Sequence, residues 1–281
     1  MVLLTALWGF QQVTIKVAAA DVSLVMQAAI RSIIATILIV AWAQARGVAL
    51  FRRDGALGPG LLAGLLFGGE FVFIYAGLAH TSASRMIVFI YLTPALTALG
   101  LHWLVPGERL VLRQWAGVVV AFAGLVLAFA EGFSSAREAT FLGDLFGVIA
   151  AVLWAATTVL IRASALARMT ATKTLFYQLW VSALVLLAAS SLMGEPGVVA
   201  LTPLALASLA YQGVIVAFAS YLVWFWLLTR YLAGPLAVFS FLAPLFGVIF
   251  GVWLLDEPLT PWFAGAALLV GAGIVLVNLR R

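Results

Sequence analysis

The 281-residue chain is 65% hydrophobic and 9% charged, carries a net charge of +5 and contains no cysteine. A soluble domain carries about a quarter charged residues, so this composition cannot build a water-facing surface. The missing cysteines exclude disulfides, thiolate nucleophiles and iron–sulfur clusters. With only His80 and His102 available, a histidine-rich metal site is not expected, and no cofactor is implied. The basic residues sit in short loops, where membrane topology accounts for them better than nucleic-acid binding does.

A bilayer core about 30 Å thick takes about 20 apolar residues per helical span. Hydrophobic runs punctuated by charges and Gly/Pro turns predict spans at 2–19, 24–45, 59–79, 83–104 and 113–130. A second set follows at 144–163, 172–193, 203–229, 235–255 and 261–279. The first run has no positively charged leader region and no small-residue cleavage site, so it is read as a span and not as a removed signal. Lipid satisfies no backbone hydrogen bonds, and apolar runs of this length are not barrel strands. The expected fold is therefore an all-α membrane protein of ten transmembrane helices.

Placing the N-terminus in the cytoplasm puts Arg46, Arg52, Arg53, Arg109, Arg113, Arg162, Arg168, Lys173, Arg230, Arg280 and Arg281 on the inner side. Only Lys16, Arg85 and Arg137 then face outward, together with the acids Asp21, Glu131, Glu138, Asp144, Glu195, Asp256 and Glu257. This asymmetry satisfies the positive-inside rule and predicts that both termini are cytoplasmic. The longest loop runs from about Glu131 to Gly143, and no G-x-x-x-x-G-K-[ST] loop occurs. Active transport by this chain is then secondary, unless a separate ATPase subunit drives it.

The two halves align at an offset of roughly 146 to 150 residues. Trp8, Gln12 and Lys16 fall on one helical face of the first span, and Trp154, Thr158 and Arg162 repeat the spacing in the sixth. Arg31 matches Gln178, Leu92 and Pro94 match Leu242 and Pro244, Glu108 falls near Glu257, and Ala116-Gly117 matches Ala264-Gly265. Halves of five spans, an odd number, must cross the membrane in opposite directions. The predicted architecture is two inverted five-helix repeats, 1–131 and 143–281, joined by an outer loop at 132–142, which is an arrangement suited to alternating access.

Leu7-Trp8-Gly9 with Lys16, Arg31 in the second span, Thr81-Ser82-Ala83-Ser84, Leu92-Thr93-Pro94, and Gly107-Glu108 before Gln114-Trp115-Ala116-Gly117 together carry a family resemblance. Over nearly its whole length the chain resembles the drug/metabolite transporter superfamily, specifically its ten-helix EamA-type carriers. The resemblance implies a metabolite exporter whose central cavity is lined by the first, third, fourth, sixth, eighth and ninth helices. Within the superfamily the chain looks most like bacterial exporters of aromatic and other neutral amino acids. A multi-pass protein of the bacterial inner membrane, acting as a monomer on a small molecule, is the corresponding expectation. Thr158 and Arg162, standing where an exact repeat would have Gln and Lys, depart from perfect pseudo-symmetry.

Glu70 is the sharpest candidate, because a carboxylate near the middle of the third span is costly unless paired or hydrated. It could face a substrate ammonium or take up a proton, or it could be a structural partner for Arg31. Arg31 itself reads as an anchor whose long stem snorkels to the outer interface, since the family pattern has a basic residue there. Trp8, Gln12, Trp154 and Thr158 are expected to face the cavity, with helix packing as the alternative. Tyr75, Tyr91, Tyr221 and Trp224 add aromatic surface suited to apolar substrates or to the interfacial belt. Lys16 and Arg162 are candidate gate charges or interfacial anchors, and Pro94 and Pro244 candidate hinges or static kinks. Gly60, Gly64 and Gly68, like Gly247 and Gly251, are spaced for close helix packing.

The functional reading is export of aromatic and other neutral amino acids. The alternative within transport is another small metabolite or a cationic drug with Glu70 as counter-ion. An intramembrane enzyme lacks its H-E-x-x-H pair or paired mid-membrane aspartates, and a receptor would not require Glu70 or inverted halves.

Overall fold

A computed structural model describes residues 1–52, 54–81, 83–130, 141–256 and 261–279. Arg53, Ser82, Glu131, Arg137, Glu138, Glu257, Arg280, Arg281 and most of the expected loop at 132–142 lie outside the described residues. The helices of the first half are α1 (Val2–Ala18), α2 (Leu24–Ala45), α3 (Leu57–Leu78), α4 (Ala83–Ile90), α5 (Thr93–Leu104) and α6 (Leu112–Ala128). Those of the second half are α7 (Phe141–Ala163), α8 (Ala171–Leu192), α9 (Pro203–Ala210), α10 (Tyr221–Leu228), α11 (Ala233–Val238), α12 (Leu242–Leu255) and α13 (Phe263–Asn278). Among the described residues there is no strand, only an isolated bridge between Val22 and Val198. Seven helical stretches are long and apolar enough to cross a membrane, and α1, α6 and α13 are shorter apolar helices.

Three expected spans are less regular than their apolar runs suggest. The fourth is interrupted between α4 and α5, and the ninth passes through a 3₁₀ turn, Phe239–Phe241, between α11 and α12. Proline explains the first break. Pro94 has no N–H for the Ile90 carbonyl, and the Thr93 hydroxyl donates to that oxygen at 2.6 Å instead. The eighth span runs continuously from Pro203 to Leu228, but Tyr211–Ser220 is wound as π-helix. Hydropathy cannot signal that winding, because it leaves composition unchanged.

The chain forms two compact units, one of Met1–Gly9, Phe73–Val159 and Leu232–Arg281, the other of Phe10–Val72 and Leu160–Tyr231. Each draws on both halves of the sequence. In the first unit the broadest helix pairing is α6 with α13, closed by Val118, Ala121 and Leu125 against Ala266, Val270 and Val277. In the second it is α2 with α8. In the expected order of ten spans these are the fifth on the tenth and the second on the seventh, pairs that the expected repeat offset would relate.

Close approach sets the α6–α13 packing and that of α3 on α8. A Cβ on Gly273 would fall 2.5 Å from the Gly117 carbonyl oxygen and the Ala121 backbone nitrogen. On α3, Gly60, Gly64 and Gly68 lie against Tyr177, Val181 and Val185 of α8, glycine against every fourth residue. Small residues let helices touch along their backbones, where dispersion replaces the missing hydrophobic drive between helices in lipid.

Carboxylates hold the helix ends. Glu195 accepts hydrogen bonds from the Ser23 and Ser190 hydroxyls at 2.9 and 2.8 Å and from the Val25 and Met26 N–H groups at 3.1 and 3.2 Å. It therefore fills the orphan donors of the α2 N-terminus and balances the positive end of the helix dipole. Glu108 does the same for α11 by accepting from the Ala233 N–H at 2.9 Å. Near the α8 N-terminus, Lys173 donates to Asp54 at 2.7 Å and to the Arg52 carbonyl at 3.0 Å, fixing the loop after α2.

Two predictions follow from these contacts. Gly273→Val should destabilise the protein by about 1–3 kcal/mol, whereas Gly271→Val, with no atom within 4 Å of its Cβ, should be near neutral. Thermal unfolding in detergent, followed by fluorescence size exclusion, reads the contrast. The Lys173 ammonium holds the Asp54 carboxyl below its ordinary value of 3.8. A lowered folded pKa contributes stability above the ordinary value that is lost as pH falls through the lowered one. Asp54→Asn should accordingly melt below wild type at neutral pH, and the gap should close as pH drops below the ordinary carboxylate range.

Candidate functional site

Arg31 on α2 and Glu70 on α3 both lie within apolar spans, and each is only 3% exposed. On α3, Phe67, Glu70 and Phe71 share a helical face at i, i+3 and i+4. The Arg31 guanidinium carbon sits 4.3 Å from the centroid of the Phe71 ring. Phe67 meets Phe71 edge-on at 5.2 Å and Tyr221 of α10 edge-on at 6.0 Å. Base, acid and three rings thus form one constellation inside the second unit.

Its hydrogen bonding is incomplete. Arg31 Nη2 and Glu70 Oε2 are buried with no hydrogen-bond partner among the described residues. A buried polar group left unpaired costs about 1–3 kcal/mol, and more when charged. The expectation that Arg31 snorkels to the interface is corrected here. The guanidinium lies over the Phe71 π face inside the protein, and Glu70 is the next residue back along α3.

The structure places the remaining candidates unevenly. On α1, Trp8 is half-buried while Gln12 and Lys16 are exposed, so the first polar stripe is open. On α7, Trp154 is half-buried but Thr158 is buried, and its hydroxyl donates to the Trp154 carbonyl at 3.4 Å. Arg162 donates to the Leu228 carbonyl at 2.7 Å and so holds the C-terminal end of α10. Tyr91 and Trp154 come together edge-on at 6.0 Å in the first unit, beside Met86, Ile90 and Ala150. Tyr75 and Trp224 are half-buried, and Pro94 and Pro244 are buried.

Several features escaped the sequence reading. Phe67 and Phe71 are invisible among 19 phenylalanines until the fold sets them beside Arg31. A glutamine relay links α2 to the π-helical turn. Gln27 donates to the Val22 and Ile15 carbonyls at 2.9 and 3.3 Å and accepts from Gln212 at 2.9 Å. That chain leaves the buried Gln212 Oε1 without a partner among the described residues. Amides inside apolar runs were the available signal. An ion pair between Arg85 and Asp144, with the Thr81 hydroxyl on Asp144 at 3.0 Å, closes one end of the first unit. Among the described residues no three His, Cys, Asp or Glu side chains are grouped to hold a metal.

Comparison with known proteins places these features in a family. An uncharacterized transporter of Archaeoglobus fulgidus is 28% identical over 280 residues, covering 98% of this chain and 94% of its own. A protein of Escherichia coli named "Probable amino-acid metabolite efflux pump" is 25% identical, covering 99% and 94%. A crystal structure of a protein 24% identical to this one shares the fold at a TM-score of 0.82, over 99% of this chain and 98% of the other. The model of the EamA-like transporter family matches residues 1–130 and 141–279. The chain belongs to the EamA-like transporter family, and is a multi-pass membrane protein of the transporter class.

Proposed function

We propose that the chain is a secondary transporter that exports aromatic and other neutral amino acids across the bacterial inner membrane by alternating access. In this reading 1–131 and 143–281 are inverted five-helix repeats, both termini are cytoplasmic, and one copy suffices. The observation that carries it is that Arg31 and Glu70 are both buried within spans, with Arg31 over Phe71, whose ring meets Phe67 and through it Tyr221. An ionisable pair inside a membrane span is a functional site by default, and three rings beside it suit an apolar side chain. The name of the Escherichia coli relative supports the same class.

The unpartnered Glu70 Oε2 also favours a second reading, export of a different metabolite or of a cationic drug with Glu70 as its counter-ion. Counterflow separates the two. Radiolabelled phenylalanine should accumulate in proteoliposomes preloaded with unlabelled neutral amino acids, and not in protein-free or polyamine-loaded vesicles. Glu70→Gln should lower that counterflow at least about tenfold, the loss of a charge-assisted hydrogen bond. Stimulation by internal polyamine alone would move the assignment to cations.

A further inference from the structure

We propose that Arg31 and Glu70 are the two prongs of a zwitterion subsite, Arg31 taking the substrate carboxylate and Glu70 its ammonium, with Phe67, Phe71 and Tyr221 beside the side chain. The proposal rests on the amino-acid reading above and deepens it. The sequence alone suggested Gln12 and Thr158 as carboxylate donors. Thr158, however, is buried with its hydroxyl given to its own helix. Arg31 offers the stronger donor in the same unit as Glu70.

The geometry favours this role. A guanidinium stacked on a ring keeps its N–H donors in its own plane, directed outward from the rim, where they match a carboxylate bidentately. The Arg31 guanidinium carbon lies over the Phe71 ring, 4.3 Å from its centroid, and Nη2 is a buried donor with no partner among the described residues. Glu70 Oε2 is the matching buried acceptor. One open donor and one open acceptor, of opposite charge, sit in one cluster.

Charge then selects the ligand class. With Glu70 ionised, Arg31 and Glu70 together are neutral, and a zwitterion placed between them adds no net charge while supplying the missing partner to each. An amine lacking the carboxylate would satisfy Glu70 but lie beside an unanswered Arg31. A carboxylic acid lacking the ammonium would face the reverse problem. In a low-dielectric site a like charge is strongly disfavoured, so both single-charge analogues are rejected and the zwitterion is retained.

The test is competition for phenylalanine counterflow in proteoliposomes by phenethylamine and by 3-phenylpropionate. Wild type should be inhibited by unlabelled phenylalanine at concentrations at least about tenfold lower than by either analogue. Arg31→Gln should lose preference over phenethylamine, and Glu70→Gln should lose preference over 3-phenylpropionate. Arg31→Lys guards against a glutamine variant that does not fold, since it keeps the charge but loses the planar fork. It should raise the KM for phenylalanine severalfold while leaving that for phenethylamine little changed. Wild-type counterflow with the phenylalanine preference intact in the Arg31 variants would falsify the subsite alone. Absence of phenylalanine counterflow in wild type overturns the amino-acid reading, and the subsite with it.

Discussion

Hydrocarbon offers no hydrogen bonds, and that constraint organises the molecule. Each polar group carried into a span must find its partner inside the protein. The structure meets the demand with short-range devices. Glu195 fills the start of α2, Glu108 fills the start of α11, and Thr93 answers the carbonyl that Pro94 cannot bond. Gln27 and Gln212 pair across helices, and Gln27 spends its amide on two backbone carbonyls. Arg31 and Glu70 are the oppositely charged members of a wider set of buried side chains, Gln212 and Gln178 among them, that keep an atom without a partner among the described residues. Groups of this kind persist where the surroundings over-determine them and function uses them.

The pairing of helices suits the proposed internal duplication. In each compact unit the broadest contact joins helices that correspond under the repeat offset, α2 with α8 and α6 with α13. A pseudo-two-fold relating the halves would produce such pairs. Glycine serves close packing in both units: Gly273 sits on Gly117 between α13 and α6, and the Gly60, Gly64 and Gly68 row of α3 sits on α8. The polar side chains depart from symmetry more than the packing does. Arg31 is a charged base where its counterpart Gln178 is a neutral amide, and Gln12 is exposed where Thr158 is buried.

Much of this was legible in the sequence, and the failures have a common cause. Apolar runs located the helices because span length is set by bilayer thickness. Glu70 was conspicuous for the same reason, as a charge where none should be. What hydropathy could not reveal was backbone winding and side-chain company. The π-helical winding at Tyr211–Ser220 leaves composition unchanged, whereas the break between α4 and α5 was signalled by Pro94. Arg31 read as a snorkelling anchor because its partner lies on another helix, 39 positions away in the chain. Glu195 read as one more outer acid, although it caps a helix that begins far from it in sequence.

A double-mutant cycle on thermal unfolding tests the mutual dependence of Arg31 and Glu70 most directly. Removing one partner of a buried pair leaves an uncompensated charge and costs about 3–5 kcal/mol, whereas replacing both removes the problem. Arg31→Met and Glu70→Gln should each lower the melting temperature strongly, and the double variant should recover most of the loss. Strictly additive losses would contradict the account, since they would mean that the two groups do not sustain each other's burial.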